Sequence, residues 1–173
     1  MNKLTKRHAA GLALVVTAAL TASSARHSQA QGATPVLAVA ELQYVDTSGE
    51  VIDQSADHIR RRREFEASLR SDLTKSGKLR DVGLDCPANA CSVEDIAFDR
   101  LLGKAQAAGA SHLLIGAVHK MSTLVQQAKF NIIDVKSRKV VFDRYVTFRG
   151  DSDQAWRRAE SFVASQILDQ EGW

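Results

Sequence analysis

The sequence predicts a single mixed α/β domain, with helices packed on a β-sheet in the element order β-α-β-α-β-β-β-α. A largely apolar run at residues 36–45 has the composition of a strand covered on both faces. Three segments repeat apolar residues near the 3.6-residue period of a helix. Residues 125–135 and 139–148 alternate polar and apolar side chains as paired strands do, which completes the mixed pattern.

The first predicted strand ends in the turn residues Asp46-Thr47-Ser48-Gly49. The first helix is expected over residues 55–75, and Gly77 follows it in a C-cap position. Its inward face is predicted from four apolar residues, Ile59, Phe65, Leu69 and Leu73. A short second strand at residues 79–84 leads into the segment that contains both cysteines.

The second helix is expected to open at Ser92, because Asp95 three residues later gives a capping-box pattern. Gly109 marks its end, and residues 112–121 are predicted to be the third strand. The apolar face of this helix is predicted to contain Ile96, Leu101, Leu102 and Ala105.

The two alternating segments are predicted to form a hairpin joined by Lys136-Ser137-Arg138. Gly150 then ends the last strand, and Asp151-Ser152-Asp153 supplies the N-cap of a final helix that reaches Leu168. Four residues of this helix are predicted to face inward: Trp156, Phe162, Val163 and Ile167.

Residues 1–30 have the features of a cleavable signal peptide. A basic start precedes an apolar run at residues 9–22, which is shorter than the roughly twenty residues of a membrane-spanning helix. Small residues before Gln31 predict cleavage after Ala30, with Ala25 as the alternative site, and a membrane anchor is the competing interpretation. Because no cysteine follows the apolar run directly, we expect a soluble periplasmic product without a lipid anchor, exported by a Gram-negative cell.

The positive charge of the chain lies mostly in that signal. The chain has 23 Lys and Arg against 20 Asp and Glu. Residues 1–30 hold four of the bases and none of the acids, so residues 31–173 keep 19 bases and 20 acids. Nucleic-acid binding requires a standing basic excess, and we therefore expect no nucleic-acid partner.

Cys86 and Cys91 are the only cysteines, and they follow a C-x4-C spacing. Export to an oxidising compartment favours a structural disulfide between them. A redox-active pair is the alternative, but such pairs use C-x-x-C at a helix start. A metal site or free thiols remain as further interpretations.

The sequence offers little that would support catalysis. His112 and His119 are seven residues apart on one predicted strand, so they fall on opposite faces and cannot share a metal ion, and His58 stands apart at a helix start. No nucleophile elbow, P-loop or G-x-G-x-x-G pattern is present. We expect no catalytic residue, metal or cofactor. The run Arg60-Arg61-Arg62-Arg63 is interpreted as a solvated helix face, with a surface for an anionic partner as the alternative.

Asp46, Thr47 and Ser48 form the candidate ligand or partner site. They follow the first strand at its carboxyl end, where open α/β sheets bind ligands. Simple turn formation accounts for the same residues, so both interpretations stay open.

Three segments resemble an uncharacterised family of exported proteobacterial proteins, a domain of unknown function: AGASHLLIG at residues 108–116, the hairpin around residues 134–142, and RGDSDQAWRR at residues 149–158. Asp46-Thr47-Ser48 and the cysteine loop also resemble family features. The family usually has Gly in place of Arg138. The most specific part consists of Arg149, Gly150, Asp153 and Trp156, which we interpret as a structural motif. Packing against the hairpin is the predicted role of Trp156, and ligand binding is the alternative.

The strand order is similar to that of the N-terminal domain of the translocation protein TolB and of outer-membrane assembly lipoproteins of the curli-secretion type. This resemblance implies an interaction or assembly module, although fold alone is a weak guide to function. The first hypothesis is therefore a periplasmic accessory or assembly protein that acts by protein–protein contact. The alternative is a periplasmic small-ligand-binding domain, and a hydrolase or redox enzyme is the third candidate.

Overall fold

The structure is a computed structural model that describes residues 33–87 and 90–170. This part of the chain contains six strands and three helices. The strands are β1 (Val36–Val39), β2 (Gln43–Asp46), β3 (Arg80–Val82), β4 (His112–Lys120), β5 (Val125–Asp134) and β6 (Val140–Arg149). The helices are α1 (Ser55–Lys75), α2 (Phe98–Ala107) and α3 (Asp153–Leu168). The predicted signal peptide and its cleavage site lie outside the described residues.

The strands form one mixed sheet in the order β3-β1-β4-β5-β6, with β2 also paired to β4. β1 runs parallel to β3 and β4, and β2 runs parallel to β4. β4, β5 and β6 are antiparallel neighbours, which confirms the predicted hairpin. The mixed α/β class predicted from the sequence is confirmed.

The first predicted strand is two strands rather than one. Val39 lies opposite Leu114 and Gln43 lies opposite Ala117, so four steps along this strand match three along β4. The extra residue breaks the ladder as a β-bulge does. The backbone N–H of Glu41 donates to the carbonyl of Cys91 (3.1 Å), and that of Leu42 donates to the Glu66 carboxylate (2.7 Å). The apolar sequence gives no sign of this break, because distant residues receive these hydrogen bonds.

α1 has the bounds that the sequence predicts, but one inward residue differs. Phe65, Leu69 and Leu73 are buried as predicted. Ile59 is 44% exposed, and His58 takes the inward position instead. The prediction for Ile59 was wrong because a histidine with a buried partner can occupy a position that hydrophobic periodicity assigns to an apolar residue.

α2 begins at Phe98, six residues after the predicted start at Ser92. Ser92 and Asp95 do form the reciprocal capping hydrogen bonds, and the Ser92 carbonyl accepts from Ile96 N–H, but this turn stands alone. The backbone of Ala97 is extended (ψ 135°) and separates the turn from the helix. The buried face of α2 consists of Leu101, Leu102 and Ala105, and Ile96 packs beside it from the loop.

α3 begins after Ser152, whose Oγ accepts from the Ala155 N–H, and it ends at Leu168 as predicted. Trp156, Val163 and Ile167 are buried, whereas Phe162 is 49% exposed. The prediction for Phe162 was wrong because one helical residue turns about 100°, which places Phe162 on the flank of the buried stripe through Val163.

The helices cover the two faces of the sheet unequally. α1 and α3 pack on one face over the larger core, which includes Phe65, Phe130 and Trp156. α2 covers a smaller cluster on the opposite face, around Leu113 and Ile133. None of the helices in the described ranges is long and apolar enough to cross a membrane.

Two local features bear on the sequence predictions. Cys86 and Cys91 are joined by a disulfide, with their Cα atoms 5.5 Å apart, and Cys91 packs in the α2-side cluster. Arg138 in the hairpin turn has φ 60°, a left-handed conformation that glycine adopts without steric cost.

Candidate functional site: a buried charge cluster beneath a cleft

The carboxyl ends of β2 and β4 meet at one edge of the sheet and position the candidate site. Asp46 and Lys120 are the last residues of these two parallel strands and lie opposite each other in register. The Asp46 Oδ2 atom is 3.9 Å from Lys120 Nζ. Among the predicted site residues Asp46, Thr47 and Ser48, Asp46 therefore lies beside a buried charged group, the Lys120 ammonium.

Lys120 is a fully buried cation at the centre of this site, with 0% of its side chain exposed. Its Nζ donates to Gln54 Oε1 (2.9 Å) and Asp151 Oδ2 (2.8 Å) and contacts Glu50 Oε2. Burial alone would lower the pKa of this ammonium, but the hydrogen bonds that it donates to Asp151 and Glu50 raise the pKa above its usual value. Lys120 is therefore charged, and it occupies the point where the surrounding carboxylates converge.

Asp151 is the principal acceptor of the cluster. Its Oδ2 contacts His58 Nε2 (2.7 Å) as well as Lys120, and its Oδ1 accepts from Arg61 (2.9 Å). The side-chain N–H groups of Gln126 and Trp156 also donate to Oδ1, each at 3.3 Å. Burial opposes ionisation, but the donors led by Lys120 and His58 outweigh it and lower the pKa of Asp151 to about 2.

The predicted structural motif at residues 149–156 builds one side of this cluster. Arg149 ends β6, and Gly150 (φ 90°) turns the chain toward α3. Asp153 accepts hydrogen bonds from Arg60 and Arg61, both at 2.8 Å. Trp156 is buried against Phe65 and Phe148, with edge-to-face rings.

The arginine run of α1 is largely engaged within the molecule. Arg60 and Arg61 bind Asp153, which joins the start of α1 to the start of α3. The Nε atom of Arg62 is 3.9 Å from Glu66 on the next turn. These ion pairs fit neither predicted interpretation fully, because part of the run is a helix–helix junction rather than a solvated face or an anion-binding surface.

The three histidines of the described residues have separate surroundings. His58 is buried, stacks on Tyr44 with ring centroids 4.6 Å apart, and contacts Asp151. His119 Nε2 lies 2.7 Å from Thr47 Oγ1. His112 Nε2 is 3.9 Å from the Asp134 carboxylate, and burial lowers the pKa of this histidine. A search of residues 33–87 and 90–170 finds no His, Cys, Asp and Glu group suited to a metal ion.

A cleft of about 470 Å³ opens above the buried cluster. It is lined by Tyr44, Asp46, Glu50, Ile52, Asp53, Gln54, Ser55, His58, Ile59 and Arg62. The aliphatic rim is exposed to solvent, since Ile52 is 75% exposed and the adjoining Val51 is 99% exposed. The cleft therefore combines carboxylates with aliphatic side chains.

Thr47 and Ser48 do not line this cleft. Thr47 pairs with His119 away from it, and the Ser48 N–H donates to Asp46 Oδ1 (2.8 Å) within the turn. Turn formation accounts for Ser48, while Asp46 belongs both to the turn and to the cleft.

Sequence reasoning missed several members of the cluster, including Glu50, Gln54, Lys120 and Gln126. A usable signal was present at two of them. Lys120 and Gln126 fall at strand positions whose alternation predicts an apolar, core-facing side chain, shared with Val118 and Ala128. A polar residue at such a position indicates a buried partner.

Comparison with solved structures finds proteins that are similar to this chain. The hypothetical protein CT253 from Chlamydia trachomatis is 10% identical, with 80% of this chain and 98% of that chain covered and a TM-score of 0.54. TolB from Acinetobacter baumannii is 18% identical, with a TM-score of 0.46, and the match covers 79% of this chain but 28% of TolB. Lipoprotein GNA1162 from Neisseria meningitidis is 18% identical, with 79% and 99% of the two chains covered and a TM-score of 0.48.

Sequence comparison identifies the family but no characterised relative. No curated protein matches the chain. The model of one family matches residues 35–168, a range that contains all six strands and all three helices of the described structure. The chain belongs to this family, DUF3280, which is described as a protein of unknown function (DUF2380).

Proposed function

We propose that this chain is an exported accessory or assembly protein that binds another protein at the cleft end of its sheet. The observation that carries the proposal is the exposed aliphatic rim, formed by Val51, Ile52 and Ile59. Solvent-exposed aliphatic side chains that are grouped at the mouth of a cleft are typical of a surface that a partner covers. Val51 does not line the cleft, so a ligand confined to the cleft would leave it in water.

The buried cluster under the cleft supports a binding role rather than a catalytic one. Lys120 is buried and held charged by Asp151 and Glu50, so its amine has no lone pair for nucleophilic attack or proton abstraction. His58 is 3% exposed and contacts Asp151, and within the described part of the chain no nucleophilic side chain is among its hydrogen-bond partners. We interpret the cluster as a rigid base that fixes the loop between β2 and α1.

Export is the second part of the proposal. It rests on the signal-like sequence of residues 1–30 and on the disulfide between Cys86 and Cys91, which suits an oxidising compartment. We propose the periplasm of a Gram-negative cell as the location. N-terminal sequencing of the exported product, with Gln31 expected as the first residue, tests this part.

Small-ligand binding is the second candidate function. The cleft volume of about 470 Å³ lies within the range of ligand pockets, roughly 300–1,000 Å³. A ligand in this cleft would contact Tyr44 and Ile59, and its affinity would not depend on Val51, which lies outside the cleft.

Co-purification of the exported protein with its partner distinguishes the two functions. We expect the double variant Val51→Asp/Ile52→Asp to lose the partner, because charges replace the aliphatic rim. Val140→Asp is the matched control, since Val140 is also an exposed aliphatic residue (56%) but lies on β6.

Retention of the partner by the double variant would contradict the protein-binding proposal. The ligand-binding candidate would be favoured instead if a small molecule co-purified with the unmodified protein and with Val51→Asp but not with Ile59→Asp.

A further inference from the structure

We infer that the partner places a lysine or arginine side chain, flanked by aliphatic residues, in the cleft beneath Ile52 and Ile59. The inference rests on the proposed protein-binding function and specifies the chemistry of the partner segment. It follows from the charge of the cleft, from its aliphatic walls and from an unsatisfied hydroxyl within it.

The cleft and its floor hold an excess of negative charge. Asp46, Glu50 and Asp53 line the cleft, and Asp151 lies beneath it, where it also accepts from Arg61. Lys120 is shared among this group, with its hydrogen bonds directed to Glu50 and Asp151 and with Asp46 further away at 3.9 Å. Asp46 and Asp53 therefore keep charge that no hydrogen-bonded cation neutralises in the described structure.

Hydrogen bonds within the loop keep these two carboxyl groups ionised. The Ser55 N–H donates to Asp53 Oδ1 (2.9 Å) and lowers the pKa of Asp53. Burial opposes the ionisation of Asp46, but the hydrogen bonds from Ser48 outweigh it and lower its pKa. Both groups can accept from a cation at the mouth of the cleft.

Arg62 also lines the cleft and contributes one positive charge to it. Its Nε atom is 3.9 Å from Glu66, one helical turn away. The Glu66 carboxylate in turn accepts from the Leu42 N–H at 2.7 Å. Arg62 therefore lowers the negative charge of the cleft without reversing its sign, because four carboxylates (Asp46, Glu50, Asp53 and Asp151) face three cations (Lys120, Arg61 and Arg62).

The cleft also fits the shape of a long basic side chain. Lysine and arginine carry an apolar stem of methylene groups below the charged head. Ile52 and Ile59 provide aliphatic walls for that stem, and Tyr44 also lines the cleft. The Tyr44 hydroxyl is buried without a hydrogen-bond partner in the structure, and burial together with Asp46 raises its pKa, so it remains a neutral acceptor.

Titration with short peptides tests the inference directly. The probe is acetyl-Leu-Arg-Leu-amide, added to the ¹⁵N-labelled exported protein and followed by amide chemical shifts. We expect saturable shifts at residues 44–62, with the lysine peptide acting at the same place. Citrulline has the shape of arginine without its charge, so the citrulline peptide should bind more weakly by about fivefold or more.

The double variant Asp46→Asn/Asp53→Asn should weaken the arginine peptide by a similar factor. Asparagine keeps the side-chain oxygens that accept from Ser48 and Ser55, so the loop should stay folded. The matched control is Asp99→Asn/Asp143→Asn, which removes the same charge from two exposed carboxylates on α2 and β6. This control should bind the arginine peptide as the unmodified protein does.

Equal binding of the arginine and citrulline peptides would overturn the inference. An equal loss of affinity for the arginine peptide in Asp46→Asn/Asp53→Asn and in the control Asp99→Asn/Asp143→Asn would also overturn it. Binding of phosphatidylethanolamine vesicles that requires Asp46 and Asp53, without any peptide binding, would assign the cleft to a lipid amine and also overturn it. The proposed function is tested separately by the aliphatic rim. If Val51→Asp/Ile52→Asp loses the natural partner while Asp46→Asn/Asp53→Asn keeps it, protein binding stands and the cationic side chain is refuted.

Discussion

Replacing Asp151 by asparagine should destabilise the protein in a way that depends on pH. The substitution keeps the size of the side chain but removes the charge that Lys120, His58 and Arg61 contact. The pKa of Asp151 falls from 3.8 to about 2 in the fold, a difference equivalent to about 2 kcal/mol of stability at neutral pH. This shift already includes the hydrogen bond from Lys120, and removing one partner of a buried ion pair costs about 3–5 kcal/mol, so we expect Asp151→Asn to lower the free energy of unfolding by about 2–4 kcal/mol at pH 7.

The sign of the pH dependence follows from the direction of the pKa shift. Because the folded-state pKa lies below the unfolded value, the stabilising contribution of Asp151 is fully present above pH 3.8. It is lost as the pH falls toward 2, when the carboxyl group becomes protonated in both states. The difference in the free energy of unfolding between Asp151→Asn and the unmodified protein should therefore become smaller over this range. Other groups also titrate, but they do so in both proteins.

Urea unfolding followed by far-ultraviolet circular dichroism at a series of pH values measures this difference. Asp143→Asn is the matched control, since Asp143 is an exposed carboxylate that lies 3.6 Å from Lys129. We expect this control to change the free energy of unfolding by less than about 1 kcal/mol. If Asp151→Asn is as stable as the unmodified protein at pH 7, or if its deficit stays constant from pH 5 to pH 2, the assignment of Asp151 as the ionised centre of the cluster is wrong.

Three further predictions concern residues outside the cleft. Trp156→Ala should lower the free energy of unfolding by about 3–5 kcal/mol in a urea titration, because the indole is 2% exposed; unchanged stability would show that the ring is not structural. Replacing Cys86 and Cys91 together by serine should cost about 2 kcal/mol and lower the melting temperature without loss of the partner, whereas insulin-reductase activity that vanishes in this variant would identify a redox enzyme. Glu160 is buried with one unpaired oxygen, and burial and Asp72 raise its pKa to about 7, so stability should be lost as the pH rises from 4.5 through 7. Glu160→Gln should therefore match the unmodified protein at pH 4 and exceed it by about 1–3 kcal/mol at pH 8, and equal pH profiles would contradict this reading.

The sequence predicts an element well where its signals are local. The end of α1 and the start of α3 depend on residues next to them: Gly77 follows α1 with φ 72°, and the Ser152 side chain accepts from the Ala155 N–H before α3. The hairpin of β5 and β6 follows from alternation within two neighbouring segments. Such signals are complete within the segment itself, which is why these bounds agree with the structure.

The failures arise where a distant residue decides the local structure. The break between β1 and β2 depends on Glu66, whose carboxylate binds the Leu42 N–H from 24 residues away. Lys120 finds its partners Glu50 and Gln54 at separations of 70 and 66 residues. No pattern within a single segment can report such contacts, although a lysine at a core-facing strand position indicates that some partner exists.

The buried cluster connects the turn between β6 and α3 to the cleft. Asp151 and Asp153 follow the turn at Gly150, and they bind Lys120 at the end of β4 and Arg61 on α1. Glu50 and Gln54, on the other side of Lys120, belong to the segment between β2 and α1 that also carries Val51 and Ile52. The position of the exposed rim is therefore coupled to the turn between β6 and α3 through one buried ammonium group. A substitution at Asp151 should disturb the cleft as well as the core, so stability and binding are expected to change together there, whereas substitutions of the rim residues should change binding alone.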